Sequence, residues 1–194
     1  MPSVKDKVVI QEREKKMGFL RKYELHKVKN ALDIGCAFGF FVQEMRKHEI
    51  DAWGCDVSEI AVSKAPKDVC PFLKVGNCQE LDWEENAFEL VTAFDLLEHL
   101  YVEEYMKAIS EFNRVASKFI VMQSPIPSWN AEPWLSDLSY HIMSETKEHV
   151  SIYPWEFWAK RFCELGKFDF WFSEIWSTER VEVAEGWLVF RRKQ

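Results

Sequence analysis

Between residues 30 and 123 the chain alternates short apolar runs with stretches whose apolar positions recur every three or four residues. Asn30 to Gly35 (NALDIG), Ala52 to Asp56 (AWGCD), Phe72 to Val75, Phe88 to Phe94 (FELVTAF) and Lys118 to Gln123 (KFIVMQ) read as strands. Helical spacing fills Phe40 to His48, Ser58 to Ala65 and Tyr101 to Val115; Ser58 can cap the second of these and Pro66 ends it. The strands are apolar with little in–out alternation, as in a parallel sheet covered on both faces. The pattern therefore predicts a doubly wound α/β fold.

The ends of the chain differ from this core. Lys5 to about Lys27 is rich in Lys, Glu and Arg, with apolar Val9, Met17, Leu20 and Tyr23 to Leu25, and reads as an amphipathic helix. At Pro125 the alternation breaks, and residues 125–152 carry Pro125, Pro127 and Pro133 among Trp129, Trp134 and Tyr140. A connection this long inside one domain is usually functional, so a lid is expected there, with a short helix around Leu135 to Met143. Pro154 to Leu165 suits a final helix stopped by Gly166, and Phe168 to Trp176 and Trp187 to Arg191 suit two antiparallel strands. A length of 194 residues with 47% apolar content supports one core. A single domain is expected, divided into the helix 1–28, a ligand-binding core 29–124, the lid 125–152 and a C-terminal helix with its strand pair, 153–194.

Composition narrows the function classes. Cys36, Cys55, Cys70, Cys78 and Cys163 are odd in number and form no CxxC pair, which suggests buried free thiols rather than a disulfide or zinc framework. A net charge of −7 disfavours a broad nucleic-acid surface, and Arg13-Glu14-Lys15-Lys16 reads as a solvated face. No apolar run spans a bilayer and the first residues do not form a signal peptide, so a cytoplasmic protein with no membrane association is expected. Nine Trp and fifteen Phe, many after residue 125, can fill a core or line a pocket for a flat or cationic ligand.

The candidate chemistry sits at strand ends. Leu32 to Gly39 (LDIGCAFG) is a strand running through a turn with glycines four apart into a helix, a place where the backbone can approach a ligand. A nicotinamide-dinucleotide fingerprint would need glycine at residue 37, and Ala37 stands there, which disfavours a pyrophosphate site. Asp56 ends the second strand, where a carboxylate can accept hydrogen bonds from a ribose diol. Asn77-Cys78-Gln79 follows the third strand and Asp95-Leu96-Leu97-Glu98-His99 the fourth. Open α/β sheets bind ligands at these carboxyl ends.

With these segments the chain resembles the class I S-adenosylmethionine-dependent methyltransferases, in particular the small-molecule group that includes ubiquinone and menaquinone biosynthetic enzymes. LDIGCAFG matches that family's glycine motif, WGCDVS (53–58) its ribose-binding acid, VGNCQELDWEENAFELV (75–91) its adenine-contacting loop and FDLLEHL (94–100) its strand-four segment. The likeness covers Asn30 to Gln123 well and continues loosely through HVSIYPWEFWAKRFCELGKF (149–168). It implies a Rossmann-like sheet of order 3-2-1-4-5-7-6 with strand seven antiparallel, and S-adenosyl-L-methionine as cofactor. It further implies that Gly35, Ala37 and Gly39 flank the methionine moiety, with Asp33 near its amino group. Asp56 would hold the ribose hydroxyls and Val57 would lie against adenine. Asn77 or Cys78 would face the exocyclic amine, and Phe94 would offer a backbone carbonyl. Ala37 departs from the family's usual glycine, a change that a right-handed backbone would tolerate.

Family members that methylate amide or nucleobase amines carry an Asn/Asp-Pro-Pro-aromatic motif after strand four, which Asp95-Leu96-Leu97-Glu98 does not match. The expected reaction is methyl transfer to a small-molecule acceptor, with oxygen favoured. A hydroxyl acceptor needs a base, and His99, beside Glu98, is the first candidate, followed by His149 and His141. The spacing Asp95-x-x-Glu98-His99 also offers oxygen and nitrogen ligands, but no metal is assigned. A protein- or RNA-modifying enzyme working with a partner, and a non-catalytic scaffold of the same fold, are the alternatives; the oligomeric state is left open.

Overall fold

The computed structural model describes residues 4–127, 149–177 and 183–194. They form a seven-stranded sheet of order β3-β2-β1-β4-β5-β7-β6. In chain order the elements are α1 (Val4–Lys22), β1 (Asn30–Ile34), α2 (Phe40–Lys47), β2 (Asp51–Asp56), α3 (Glu59–Ser63), β3 (Leu73–Val75), β4 (Phe88–Phe94), α4 (Val102–Val115), β5 (Ala116–Pro127), α5 (Trp155–Glu164), β6 (Phe168–Ser177) and β7 (Val183–Arg192). β1 to β5 pair in parallel, and β7 runs antiparallel to both β5 and β6. The sheet order and the antiparallel last strand are those expected from the sequence.

Each strand sends alternate residues to two separate cores. Leu32, Ile34, Val91 and Ala93 meet Tyr105, Ile109 and Phe112 of α4 and Trp158 and Phe162 of α5. On the other face Ala31, Leu90 and Phe94 meet Met17 and Leu20 of α1 and Phe41, Val42 and Met45 of α2. Burial on both faces explains why the central strands read as continuous apolar runs. α4 begins where Tyr101 N–H donates to the Glu104 carboxylate at 2.9 Å, and α3 where the Ser58 hydroxyl accepts the Ala61 N–H at 3.2 Å. Among the described residues no helix is long and apolar enough to cross a membrane.

Three expectations need correction. The N-terminal helix ends at Lys22 rather than Lys27, because Glu24 turns left-handed (φ 58°) and Leu25 N–H caps the Leu20 carbonyl at 2.8 Å. β5 does not stop at Gln123 but continues through Pro125 to Pro127 against β7. The Gln123 carbonyl still accepts Asp95 N–H from the β4 side. Pro125 and Pro127, in the same phase, therefore turn their nitrogens to the side β4 has vacated, where no ladder donor is needed. The charged run in α1 is solvated only in part: Glu14 is exposed, whereas Lys15 pairs with Glu185 and lies 4.8 Å from the Trp176 ring centroid, and Arg13 reaches Glu44 at 3.7 Å. All five thiols are free, as expected, yet only Cys36 and Cys55 are buried, the other three being half-buried. Most of the expected lid, with Trp129, Trp134, Tyr140 and His141, lies outside the described residues.

Trp158 is fully buried on α5, with Tyr105 edge-on at 5.2 Å between ring centroids. Trp158→Ala should cost about 3–5 kcal/mol of stability, read as a lower urea midpoint with an unchanged slope.

Candidate functional site

The register of β1 against β4 pairs Asp33 with Thr92 and Ile34 with Ala93, so the turns that follow the two strands lie side by side. Gly35 shows the closeness: it adopts φ 76°, and a Cβ there would come within 3.2 Å of Leu96 in the segment after β4. Gly39 caps α2 at φ 70°, where a Cβ would lie 2.6 Å from Leu73. Ala37 between them also has a positive φ, 46°. This corrects the expectation of a right-handed backbone at residue 37. Its left-handed turn costs roughly 1–2 kcal/mol and is held by a hydrogen bond that Ala37 N–H donates to Asp56 Oδ2 at 2.8 Å.

Asp56 Oδ1 accepts Ser58 N–H, also at 2.8 Å. The carboxylate is thus oriented by two backbone donors, and each oxygen keeps a second lone pair for a ligand. Val57, beside it, is 76% exposed, an apolar surface with little covering it. Asn77 Oδ1 accepts Gln79 N–H at 2.9 Å and shapes the turn after β3. Burial pushes the neighbouring Cys78 thiol up to about 11, so it stays protonated and serves as wall rather than nucleophile.

Two cavities meet at Gly35. One, about 260 Å³, is lined by Asp56, Val57, Asn77, Cys78, Leu96 and Leu100. The other, about 220 Å³, is lined by Asp33, Ala37, Phe41 and Phe94, with Arg13 and Lys16 contributed by α1. Lys16 lies 4.8 Å from the Phe94 ring centroid. Asp33 is buried at 4% exposure and accepts the Thr92 hydroxyl at 2.7 Å. Burial pushes its carboxyl up to about 6; the Lys16 charge and the Thr92 hydroxyl act against that rise. Lys16 and Arg13 were missed in the sequence because nothing local distinguishes them from the other charges of α1.

Past β4, a short 3₁₀ turn (Leu97–His99) buries Glu98 at 1% exposure and leaves His99 exposed. Ser124 Oγ donates to Glu98 Oε2 at 3.3 Å, while Oε1 has no hydrogen-bond partner among the described residues. Burial, with a smaller contribution from the charge of Asp95, pushes the Glu98 carboxyl up to about 8. The Glu98 carbonyl accepts Val150 N–H at 2.8 Å and Ser151 N–H at 3.0 Å, which brings His149 to His99, ring centroids 4.8 Å apart and edge-on. The two histidines singled out in the sequence thus meet across fifty positions. Glu98, noted there only as a neighbour of His99, is the buried member of the group.

Residues 31–118 match a family of methyltransferase domains. The matched span runs from β1 to the start of β5 and holds the residues that line both cavities apart from those of α1. The chain is similar in structure to a proposed sarcosine dimethylglycine methyltransferase from Galdieria sulphuraria, with a TM-score of 0.74, 11% identity, and 94% of this chain and 85% of that one covered. It is also similar to the magnesium protoporphyrin IX methyltransferase of Synechocystis PCC 6803 with bound S-adenosylmethionine: TM-score 0.68, 16% identity, 94% and 79% covered. The PH0226 protein of Pyrococcus horikoshii OT3 gives TM-score 0.69 at 19% identity over 94% and 92%. At these identities the likeness establishes the fold. No curated protein matches the sequence.

The raised Asp33 carboxyl makes stability depend on pH. Between about 4 and about 6 the folded protein keeps this proton while the unfolded chain has lost it, so stability falls as pH rises through that window and levels above it. Asp33→Asn should remove this fall, on the order of 3 kcal/mol, in urea titrations of the two proteins across pH 4–7.

Proposed function

We propose that the chain is a methyltransferase that moves the methyl group of S-adenosylmethionine to a hydroxyl oxygen of a small molecule. The observation that carries the reading is the meeting of His99 and His149 past the carboxyl end of β4, in the segment that begins beside the turn after β1. In this reading Gly35, Ala37 and Gly39 flank the methionine end of the cofactor, in the cavity that holds Asp33 for its ammonium group. Asp56 accepts the ribose hydroxyls with its two remaining lone pairs. Val57 covers one face of adenine, Asn77 or Cys78 meets its exocyclic amine, and the Phe94 carbonyl is a further acceptor. The donor set fits: an elongated zwitterion with a diol at its middle needs a carboxylate at one end and another near its centre, and the two cavities supply Asp33 and Asp56 on either side of Gly35.

When bound, the cofactor supplies a methyl group already primed on a sulfonium. The chain's contribution is then alignment, exclusion of water and loss of the acceptor's proton. α1 closes one side with Val8, Val9 and Lys16. The His99–His149 pair is placed to bring about the loss of the hydroxyl proton. The net charge of −7 favours such an acceptor over a nucleic acid.

Asp56→Ala removes two charge-assisted hydrogen bonds to the ribose, so affinity for S-adenosylhomocysteine should fall at least about tenfold by calorimetry; an unchanged dissociation constant in a folded variant overturns the assignment. His99→Ala should lower turnover by about 10²–10⁴ and leave cofactor affinity nearly intact, measured with labelled cofactor once a screen of metabolite pools has yielded an acceptor. Loss of cofactor affinity along with turnover would make His99 a structural residue.

A further inference from the structure

Glu98, His99 and His149 each bring one ligand atom, a carboxylate oxygen and two imidazole nitrogens, to within 4.8 Å of one another. The cluster is built rather than incidental. Two backbone bonds from Val150 and Ser151 to the Glu98 carbonyl, and a third from the Ser151 hydroxyl to the Leu100 carbonyl at 2.6 Å, fasten the His149 segment onto the His99 turn. Ser124 orients one carboxylate oxygen of Glu98 in the way outer hydrogen bonds fix metal ligands. The other oxygen, Oε1, is buried without a hydrogen-bond partner among the described residues, a costly condition for a carboxyl group unless a ligand completes it.

We propose that Glu98, His99 and His149 bind one divalent transition-metal ion, with zinc the best match to the donors, and that the ion's open position takes the hydroxyl oxygen of the methyl acceptor. Two imidazoles disfavour magnesium and calcium, which take oxygen ligands, whereas two His and one Glu with a fourth position open is a catalytic zinc arrangement. Ligand atoms about 2.1 Å from a tetrahedral ion stand roughly 3.4 Å apart. The three atoms here lie within 4.8 Å of one another, close to that spacing, with Glu98 buried and His99 and His149 nearer the surface. Asp95, three residues before Glu98, is not a member; His149, far along the chain, takes the third place.

The role in acceptor binding rests on the methyl-transfer reading. In it the two histidines act on the hydroxyl as ligands of the ion, which acidifies the O–H. The proton leaves to bulk water, the oxygen pair forms the new O–C bond, and the pair of the broken C–S bond stays on sulfur, which becomes the neutral thioether of S-adenosylhomocysteine.

The test is calorimetric titration of the chelator-stripped, full-length protein with Zn²⁺, with Mg²⁺ as the comparison ion. One Zn²⁺ per chain is expected, with affinity at least tenfold weaker in each of Glu98→Gln and His149→Ala and unchanged in His48→Ala. Binding well below one ion per chain overturns the proposal, as does equal affinity in wild type and both site variants or a preference for Mg²⁺. S-adenosylhomocysteine binding, measured on the stripped protein, separates the two readings. Retained cofactor binding without a zinc site removes this inference and leaves methyl transfer standing. A zinc site in a protein that does not bind the cofactor overturns the acceptor role and the methyl-transfer reading together.

Discussion

The pairing of β1 with β4, Ala31 to Ile34 against Leu90 to Ala93, is the constraint from which the rest of the site follows. Parallel strands end at the same edge of the sheet, so the two chain segments that leave β1 and β4 must share the space above it. Gly35 can take its left-handed turn there only because it has no Cβ to press on Leu96. The same register sets Asp33 against Thr92, beneath the glycine turn and beside the segment that carries Glu98 and His99. A one-residue slip would turn Asp33 into the opposite, wholly apolar core and expose the apolar residues of β4 to the polar cleft.

Two carboxyl groups buried at this edge bear a cost in stability. Asp33 and Glu98 are both pushed toward the neutral form by burial, and Lys16 from α1 opposes the shift in each. A hydrophobic pair in their place would be the ordinary solution for a core, so their presence marks the edge as a place built for ligands rather than for stability. The helix that carries Lys16 is itself anchored well away from the site: Phe19 packs on Trp187 at 4.5 Å and Tyr23 on Phe172 at 4.2 Å, centroid to centroid. α1 is thereby fixed on the β6–β7 half of the sheet while its first turns wall the cavity next to Asp33.

The antiparallel β7 has a comparable role on the far side. By pairing with β5 beyond the end of β4 it lets β5 run on through Pro125 and Pro127. That extension carries Ser124 to Glu98, so the C-terminal strand pair supports a hydrogen bond in the site.

The sequence by itself determined the order of helices and strands, the parallel character of the central strands and the strand-end positions of Asp33, Asp56, Asn77 and Glu98. These depend on local periodicity, on caps such as Ser58 and on turn residues such as Gly35, all of which act within a few positions. It also singled out His99 and His149, though not that their rings meet. Tertiary structure decided the rest, because each remaining feature depends on a partner distant in the chain. Ala37 tolerates a left-handed turn because Asp56 holds its N–H. Pro125 is admitted to a strand because β4 has already ended. Lys16 became part of a cavity wall only when α1 docked, and His149 reached His99 only through the backbone bonds to Glu98. Such contacts leave no periodic trace in the residues that make them, since packing distance, unlike secondary structure, is not a function of spacing along the chain.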